Sequence, residues 1–343
     1  MYEIRLCRLD EKEIFKDFIR KYWSEDHIFV CNDDVLNFQH KEVSHYNFVV
    51  AYHLATSSFH GVLGFISPSY YANGCVQKRD DLWLALWKVE KSLAETDSLG
   101  LDLLEFLDSQ YTPHSISAIG INDNVALLYK LLGFKIGTMR HWFILNDSNS
   151  SFAIANIHNP LPISETISES SVVSIRKIAL GELDALRQTN GRSSVKGSLS
   201  YLKSRYLHHP TYTYEYYAIT DNGQLLGDFV GRRIDANSTS CLRITDMHLF
   251  VDQKTSLRNA FQKCLVAEHL EYLDLLVFGD IGFHPEILGF SENDQNNYVP
   301  HLFEPFSSEK REVILAYRSN DPFSCFKGDS DLDRPNLATK VDE

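Results

Sequence analysis

The sequence predicts an α/β chain built from two tandem domains, each a mixed, mostly antiparallel twisted sheet flanked by helices. Three observations carry this expectation. Strand-like and helix-like segments follow one another twice in the same order across 343 residues, a length beyond the usual single domain. A Leu-Gly step in an early hairpin is followed by a Leu-Gly-Phe helix stop in each half: Gly64 then Gly133, 69 residues on, and Gly227 then Gly289, 62 residues on. Between the halves, residues 147–170 are dense in Ser, Asn, Ile and Pro and read as a linker.

In the first half, residues 3–9 alternate as a strand, and Asp10 is placed to cap a helix reaching Trp23. Residues 24–46 are polar and predict loop or short helix. Residues 47–54 and 61–67 form a hairpin turned at Ser57 and Ser58, with Pro68 ending the regular stretch. Residues 81–90 are the fourth strand, and a turn over 95–100 opens a helix over 101–107. Residues 115–121 are a buried strand. Then comes Asn122-Asp-Asn-Val-Ala-Leu-Leu-Tyr-Lys-Leu-Leu-Gly-Phe134, a short helix with a stop. Asp123 or Asn124 can cap it; Val125, Leu128, Tyr129 and Leu132 share one face; Gly133 ends it. Residues 135–145 read as one further strand.

The second half repeats the plan. Residues 171–178 start it, and 181–187 and 198–207 are helical, the latter stopped by His208-His-Pro210. Residues 214–220 and 224–233 flank Asn222-Gly223, the clearest hairpin signal in the chain. A strand over 241–251, a helix over 256–270, a strand over 275–278 and the helix stop over 284–290 follow. Residues 313–317 are expected to close this second sheet. The resulting division is 1–146, a linker over 147–170, 171–320, and an acidic tail over 321–343.

A net charge of −13 argues against a nucleic-acid surface, which needs clustered Lys and Arg. No basic region leads into an apolar run at the N-terminus, and no window has the ~20 apolar residues of a membrane helix. Six scattered cysteines without a Cys-x-x-Cys pair fit reduced thiols, so a cytoplasmic protein with no structural metal is expected. In the tail, Asp329, Asp331 and Asp333 alternate as in a calcium loop, but the later Glu of such a loop is missing. They are alternatively a clamp for an ammonium group, or partners of Arg334.

A strand, an Asn-containing turn, a helix ending Leu-Tyr-x-x-Leu-Gly-Phe and a further strand resemble the C-terminal half of a GNAT-superfamily acyltransferase. The resemblance covers 1–145 well and 171–318 more loosely. It implies an acyl-CoA donor, acetyl-CoA or another, and a small-molecule amine acceptor. Val89, Ser98, Leu99, Gly100, Leu101, Asn122 and Asn124 would hold the donor. In that family a Gln/Arg-x-x-Gly-x-Gly loop binds the pyrophosphate through backbone N–H groups. Here Glu95, Ser98 and Gly100 stand at those positions, so only the last glycine matches, and Asp97 adds a second carboxylate. The matching loop of the second half has no glycine; its cations are Lys254 and Arg258.

The resemblance places Tyr129 as the proton donor to the leaving thiolate; the same residue also fits a plain core position. A base for the amine should lie near the central strands, where Asp81 and Glu90, with Asp80, bracket the fourth. Asp246 and His248, two residues apart on one strand, share a sheet face. Arg205, His208, His209, Arg232 and Arg233 offer cations and stacking groups of the kind a nucleotide-sugar acceptor needs. The tail also looks similar to endings of tandem GNAT-like proteins from bacterial surface-polysaccharide gene clusters. An N-acyltransferase acting on an amino sugar or nucleotide-linked amino sugar is therefore the expectation. The alternatives are a non-catalytic binding or scaffold protein and a tRNA-dependent aminoacyl transferase, the last opposed by the charge. A homodimer is left open.

Overall fold

The computed structural model describes residues 1–159, 173–188, 195–250, 257–304, 306–331 and 334–337. The first half runs β1 (Tyr2–Arg8), α1 (Lys12–Tyr22), α2 (Ile28–Cys31), α3 (Asp33–His40), β2 (His45–His53), β3 (Ser58–Ile66), α4 (Pro68–Asn73), β4 (Asp81–Val89), α5 (Leu99–Tyr111), β5 (Ser115–Ile121), α6 (Asp123–Leu131), β6 (Lys135–Thr138) and β7 (Arg140–Leu145). β2 and β3 are buried on both faces, which is why they read as continuous apolar runs rather than alternating ones. Phe48, Val50 and Val62 pack under Phe15, Phe18 and Phe29 of the first helices. Val49, Leu63 and Phe65 pack under Leu103 and Leu107 of α5 on the other face. Asp10 does not cap α1. It is exposed and paired with Arg8, while a short 3₁₀ turn over Leu9–Glu11 leads into the helix. Pro68 opens α4 behind its Ser67 cap, where a fixed φ suits the first helical turn.

The second half runs β8 (Asn156–Ile157), β9 (Val173–Ile178), α7 (Leu180–Gln188), α8 (Leu199–Leu202), β10 (Tyr214–Asp221), β11 (Gln224–Ala236), β12 (Thr239–Leu249), α9 (Arg258–Ala267), β13 (Tyr272–Phe278), α10 (Pro285–Leu288), β14 (Ser291–Glu292), β15 (Asn297–Tyr298), β16 (Leu302–Phe303), β17 (Phe306–Ser307), β18 (Ile314–Ser319) and β19 (Cys325–Phe326). The helix expected over 198–207 is a single α turn followed by a wider turn over Lys203–Leu207.

Two strands cross over. The stretch expected as one strand, 135–145, divides at Met139: β6 joins the first sheet and β7 the second. In return β18, expected to close the second sheet, lies between β5 and β6 of the first. The first sheet is therefore β1-β2-β3-β4-β5-β18-β6, and the second β14-β7-β13-β12-β11-β10-β9. Alternation in sequence says which side chains face inward, not which edge a strand joins, so the exchange left no mark on the pattern.

A buried ion cluster pins the exchanged β7. His141 of β7 lies 2.7 Å from Asp274 of β13, and Arg243 of β12 donates to the same carboxylate and to the carbonyls of Pro300 and His301. Burial would raise the Asp274 carboxyl, but the charge of Arg243 and the contact with His141 hold it below the usual carboxylate range. Part of the expected linker is also bound, since Glu271 accepts from the amides of Ala153, Ile154 and Ala155, each at 2.8 Å. Among the described residues no helix is long and apolar enough to cross a membrane. Replacing Asp274 by Ala strands Arg243 without its partner and should cost about 3–5 kcal/mol in urea unfolding. The depressed carboxyl makes that contribution present above pH ~4 and lost as pH falls below it.

Candidate active site

β4 and β5 pair in parallel over three positions only: Asp81 with Ser115, Leu82 with Ile116 and Trp83 with Ser117. Immediately beyond, β4 carries a bulge. Leu84 faces Phe65 and Trp87 faces Leu63, so Ala85 and Leu86 together oppose Gly64. The extra residue bends β4 and adds twist. The strands part, and a cleft of about 920 Å³ opens between Leu84, Trp87 and Val89 on one side and Ala118, Ile119 and Ile121 on the other. β3 and β18 occupy the far sides of these strands, leaving their inner main-chain edges toward the cleft.

α6 stands over this opening. Its cap is Asn122, one residue earlier than expected: Oδ1 accepts from the amide of Val125 at 3.0 Å. Gly133, at φ +80°, terminates the helix. Tyr129 lines the cleft though only 3% exposed, edge-on to Trp87 and Phe134 at ring separations of 5.6 and 5.0 Å. Burial, and secondarily the charge of Asp331, raise its phenol above the ordinary value, so it keeps its proton at neutral pH.

At the other end, Gly100 and Leu101 of α5 line the cleft with Lys91, Thr96 and Asp97. Glu95, which stands where the resemblance expects a basic or amide residue, binds His53 at 3.0 Å and is not a lining residue. Asp97 faces the cleft together with Lys91, an opposite charge on the same lip.

The third wall comes from the end of the chain. His27, Asp331, Arg334, Asn336 and Leu337 line it. Gln39 donates to the Asp331 carbonyl at 3.3 Å, the amide of Ile28 to the Asn336 carbonyl at 3.1 Å, and Arg334 to the Asp331 carboxylate at 3.1 Å. The Arg334 guanidinium lies 4.4 Å over Phe29. Burial raises the Asp331 carboxyl above its ordinary value against the pull of Arg334. Burial, with Arg334, lowers His27 to about 3, so its ring is neutral.

Of the residues expected to hold a donor, Val89, Gly100, Leu101 and Asn122 line the cleft. Ser98 precedes α5 as its cap residue, Leu99 is buried in the core, and Asn124 is exposed on the first turn of α6. Neither expected base is in the cleft. Asp81 sits at the opposite end of β4, held by Ser115 at 2.6 Å and His114 at 3.0 Å. Glu90 turns to Ser92 and Lys88, and Asp80 caps Ser69.

The expected acceptor residues lie in the second half. Arg205 is 1% exposed and donates to the Gly328 and Ser330 carbonyls and to Tyr71. His209 stacks on Tyr212, Arg232 lies over the same ring beside Glu304, and His208 is exposed at a helix end. Asp246 and His248 do share a face, 3.8 Å apart, with Asp228 and Arg187 around His248. Arg258 is engaged by Asp147 and the Gly289 carbonyl, and Lys254 lies outside the described residues. Asp331 pairs with Arg334, one of the alternatives read from the tail; Asp329 pairs with Lys196, and Asp333 lies outside the described residues. His27 and Asn336 carried no sequence signal, because their place depends on contacts across some 300 positions, and Trp87 read only as one aromatic residue of a strand.

No family model matches the chain, and no curated protein matches its sequence. Solved structures do match. A GCN5-related N-acetyltransferase from Anabaena variabilis superposes with a TM-score of 0.54 at 12% identity, over 93% of this chain and 72% of that one. A protein from Enterococcus faecalis described as a probable N-acyltransferase gives 0.52 at 7% identity, over 93% and 73%. A GCN5-related N-acetyltransferase from Kribbella flavida gives 0.50 at 9%, over 93% and 71%. The chain has the GNAT fold. Replacing Asn122 by Ala removes the α6 cap and should cost about 1 kcal/mol in thermal or urea unfolding, while Asn122→Asp should retain most of it.

Proposed function

We propose that this protein is an acyl-CoA-dependent N-acyltransferase working in the cleft between β4 and β5. The observation that carries the proposal is the convergence in that one cleft of parted strand edges, a protonated Tyr129 and the buried carboxylate of Asp331. The inner edges of β4 and β5 suit the amide groups of a pantetheine arm, which need backbone partners. Apolar walls from Leu84, Val89, Ile119 and Leu128 suit its methylenes. At the pyrophosphate end the fit is weaker in glycines, but the acidic substitution is absorbed by His53, and Lys91 supplies a cation.

The acceptor nitrogen attacks the thioester carbonyl carbon, the C–N bond forms, and the C–S bond breaks as the tetrahedral adduct collapses. Tyr129 donates its hydrogen bond, then its proton, to the departing sulfur. Asp331 receives the proton shed by nitrogen, and Arg334 holds that carboxylate in place. The polar groups at the tail end, His27, Asp331, Arg334 and Asn336, favour a hydroxylated amine such as an amino sugar, free or nucleotide-linked. Six free cysteines accord with a cytoplasmic setting.

The test is thiol release from acetyl- and longer acyl-CoA over a panel of amino sugars and their nucleotide conjugates. Tyr129→Phe should lower kcat by about 10²-fold with donor affinity retained. Because the Asp331 carboxyl is raised, the acid limb of kcat/KM should lie above the ordinary Asp value of ~3.9, with activity falling as pH drops through it; Asp331→Asn should abolish that limb. No thiol release across the panel, together with no CoA binding by calorimetry, would leave the non-catalytic binding protein as the better account.

A further inference from the structure

The second half has its own parted strand pair. β12 and β13 run parallel from Cys241–Tyr272 to Ile244–Leu275 and then separate. The cause is the same as in the first half: Val230 faces Asp246 and Gly231 faces Ile244, so Thr245 is the extra residue of a bulge. This second opening is not empty. β19 pairs antiparallel with β13, Phe326 against Val277 and Cys325 against Phe278, and the amide of Lys327 donates to the Leu276 carbonyl. Val277 also pairs with Arg140 of β7, so β19 lies on the side that β12 has vacated. Gly328 closes the wedge. A Cβ there would overlap the Thr245 carbonyl oxygen at the bulge and come within 3.2 Å of the Tyr206 hydroxyl.

We propose that residues 325–331 are a built-in occupant of the second half's cleft, seated there by Arg205, and that this seat is what sets Asp331 at the first half's cleft. Arg205 donates to the Gly328 carbonyl at 3.0 Å and the Ser330 carbonyl at 2.6 Å, and to the Tyr71 hydroxyl of the first half at 2.7 Å. It thus ties tail, second half and first half at one buried guanidinium, one residue before Asp331. Lys196 bonds Asp329 at 2.7 Å, and the Asp329 carboxylate accepts from the amide of Phe326, fixing the turn between. Arg205 is a positioning residue, and the chain has one donor site, in the first half. The inference rests on the role given above to Asp331.

Two full-chain variants test it. Gly328→Val places a branched side chain against Thr245; Arg205→Lys keeps the charge but loses the fork that spans two carbonyls and Tyr71. Hydrogen exchange read by mass spectrometry should show the amides of 325–331 opening about tenfold faster in both, with α5 and α6 unchanged. Turnover should fall about tenfold or more and lose its Asp331 acid limb, while calorimetry still finds about one CoA per chain with little change in Kd. Tail amides unaffected in both variants would overturn the seat. Faster exchange with turnover and acid limb intact would overturn its link to Asp331. Two CoA bound per wild-type chain would overturn the occupancy. If the wild type binds no CoA and turns nothing over, the enzymatic reading fails, while the exchange data still decide whether Arg205 seats the tail.

Discussion

A parallel strand pair that separates after a few residues leaves two rows of main-chain donors and acceptors facing each other without partners. Buried groups of that kind must be satisfied by ligand, water or chain. Much of this protein follows from the constraint, which it meets twice and in two ways. In the first half the bulge at Ala85 and Leu86 opens β4 from β5, and the gap stays a cleft. In the second half the bulge at Thr245 opens β12 from β13, and the chain's own β19 fills the gap. An almost identical piece of backbone geometry is an open cleft in one place and a socket for a tail in the other. In the second, Gly328 lets main chain approach main chain at the point where a side chain would collide.

The strand exchange makes the halves interdependent in a second way. The first sheet has no strand of its own between β5 and β6; β18 arrives there after the second half has been traversed. The second sheet takes β7 from the first half's run and holds it with the buried His141, Asp274 and Arg243. Such pairings span more than 120 positions and must form against a large loop-closure entropy, so local pattern alone does not specify them. The same route carries the chain past the first sheet and delivers 325–331 and 334–337 to the boundary of both halves. Without the exchange, the tail would not start beside β5.

Sequence reading reached the elements and their order because those depend on local periodicity and punctuation. The Asn222-Gly223 hairpin, the Gly133 and Gly289 stops and the buried strands all lie where pattern places them. It missed the exchange, and it misaligned the repeat by three residues. Register pairs Gly227 with Leu249 as Gly61, not Gly64, pairs with Val89, each three strand positions before the bulge. Of the candidate site, Tyr129 and four of the seven expected donor residues were legible, because they belong to the strand-helix units that flank the cleft. The bases were not. Carboxylates beside β4 are near the cleft in sequence, but Asp81 and Glu90 are turned to local partners. Asp331 showed only as an alternating acidic tail, with nothing local to say which cleft it reaches. The cationic group around Arg205 had the right chemistry for an anion, yet its carbonyl partners are internal, and no local pattern distinguishes the two.

The base role proposed for Asp331 also bears on the acceptor that the proposed reaction would take. A carboxylate whose proton affinity is raised by burial is still far weaker than an alkyl amine, whose ammonium has a pKa near ~10.4. It cannot strip such an acceptor, and only about one molecule in 10³ would arrive unprotonated at pH 7. Once nitrogen has bonded to the thioester carbon, the adduct's N–H is strongly acidic, and a carboxylate suffices to take that proton. The proposed chemistry is therefore matched to an amine that is free to an appreciable extent near neutrality, such as one whose pKa is lowered by neighbouring oxygen substituents toward the ~8 of an α-amino group, where about one molecule in ten is unprotonated at pH 7. Amino sugars have that character and lysine side chains do not. The role proposed for Tyr129 complements the arrangement, because a phenol that keeps its proton at neutral pH is available to donate to sulfur as charge develops on it.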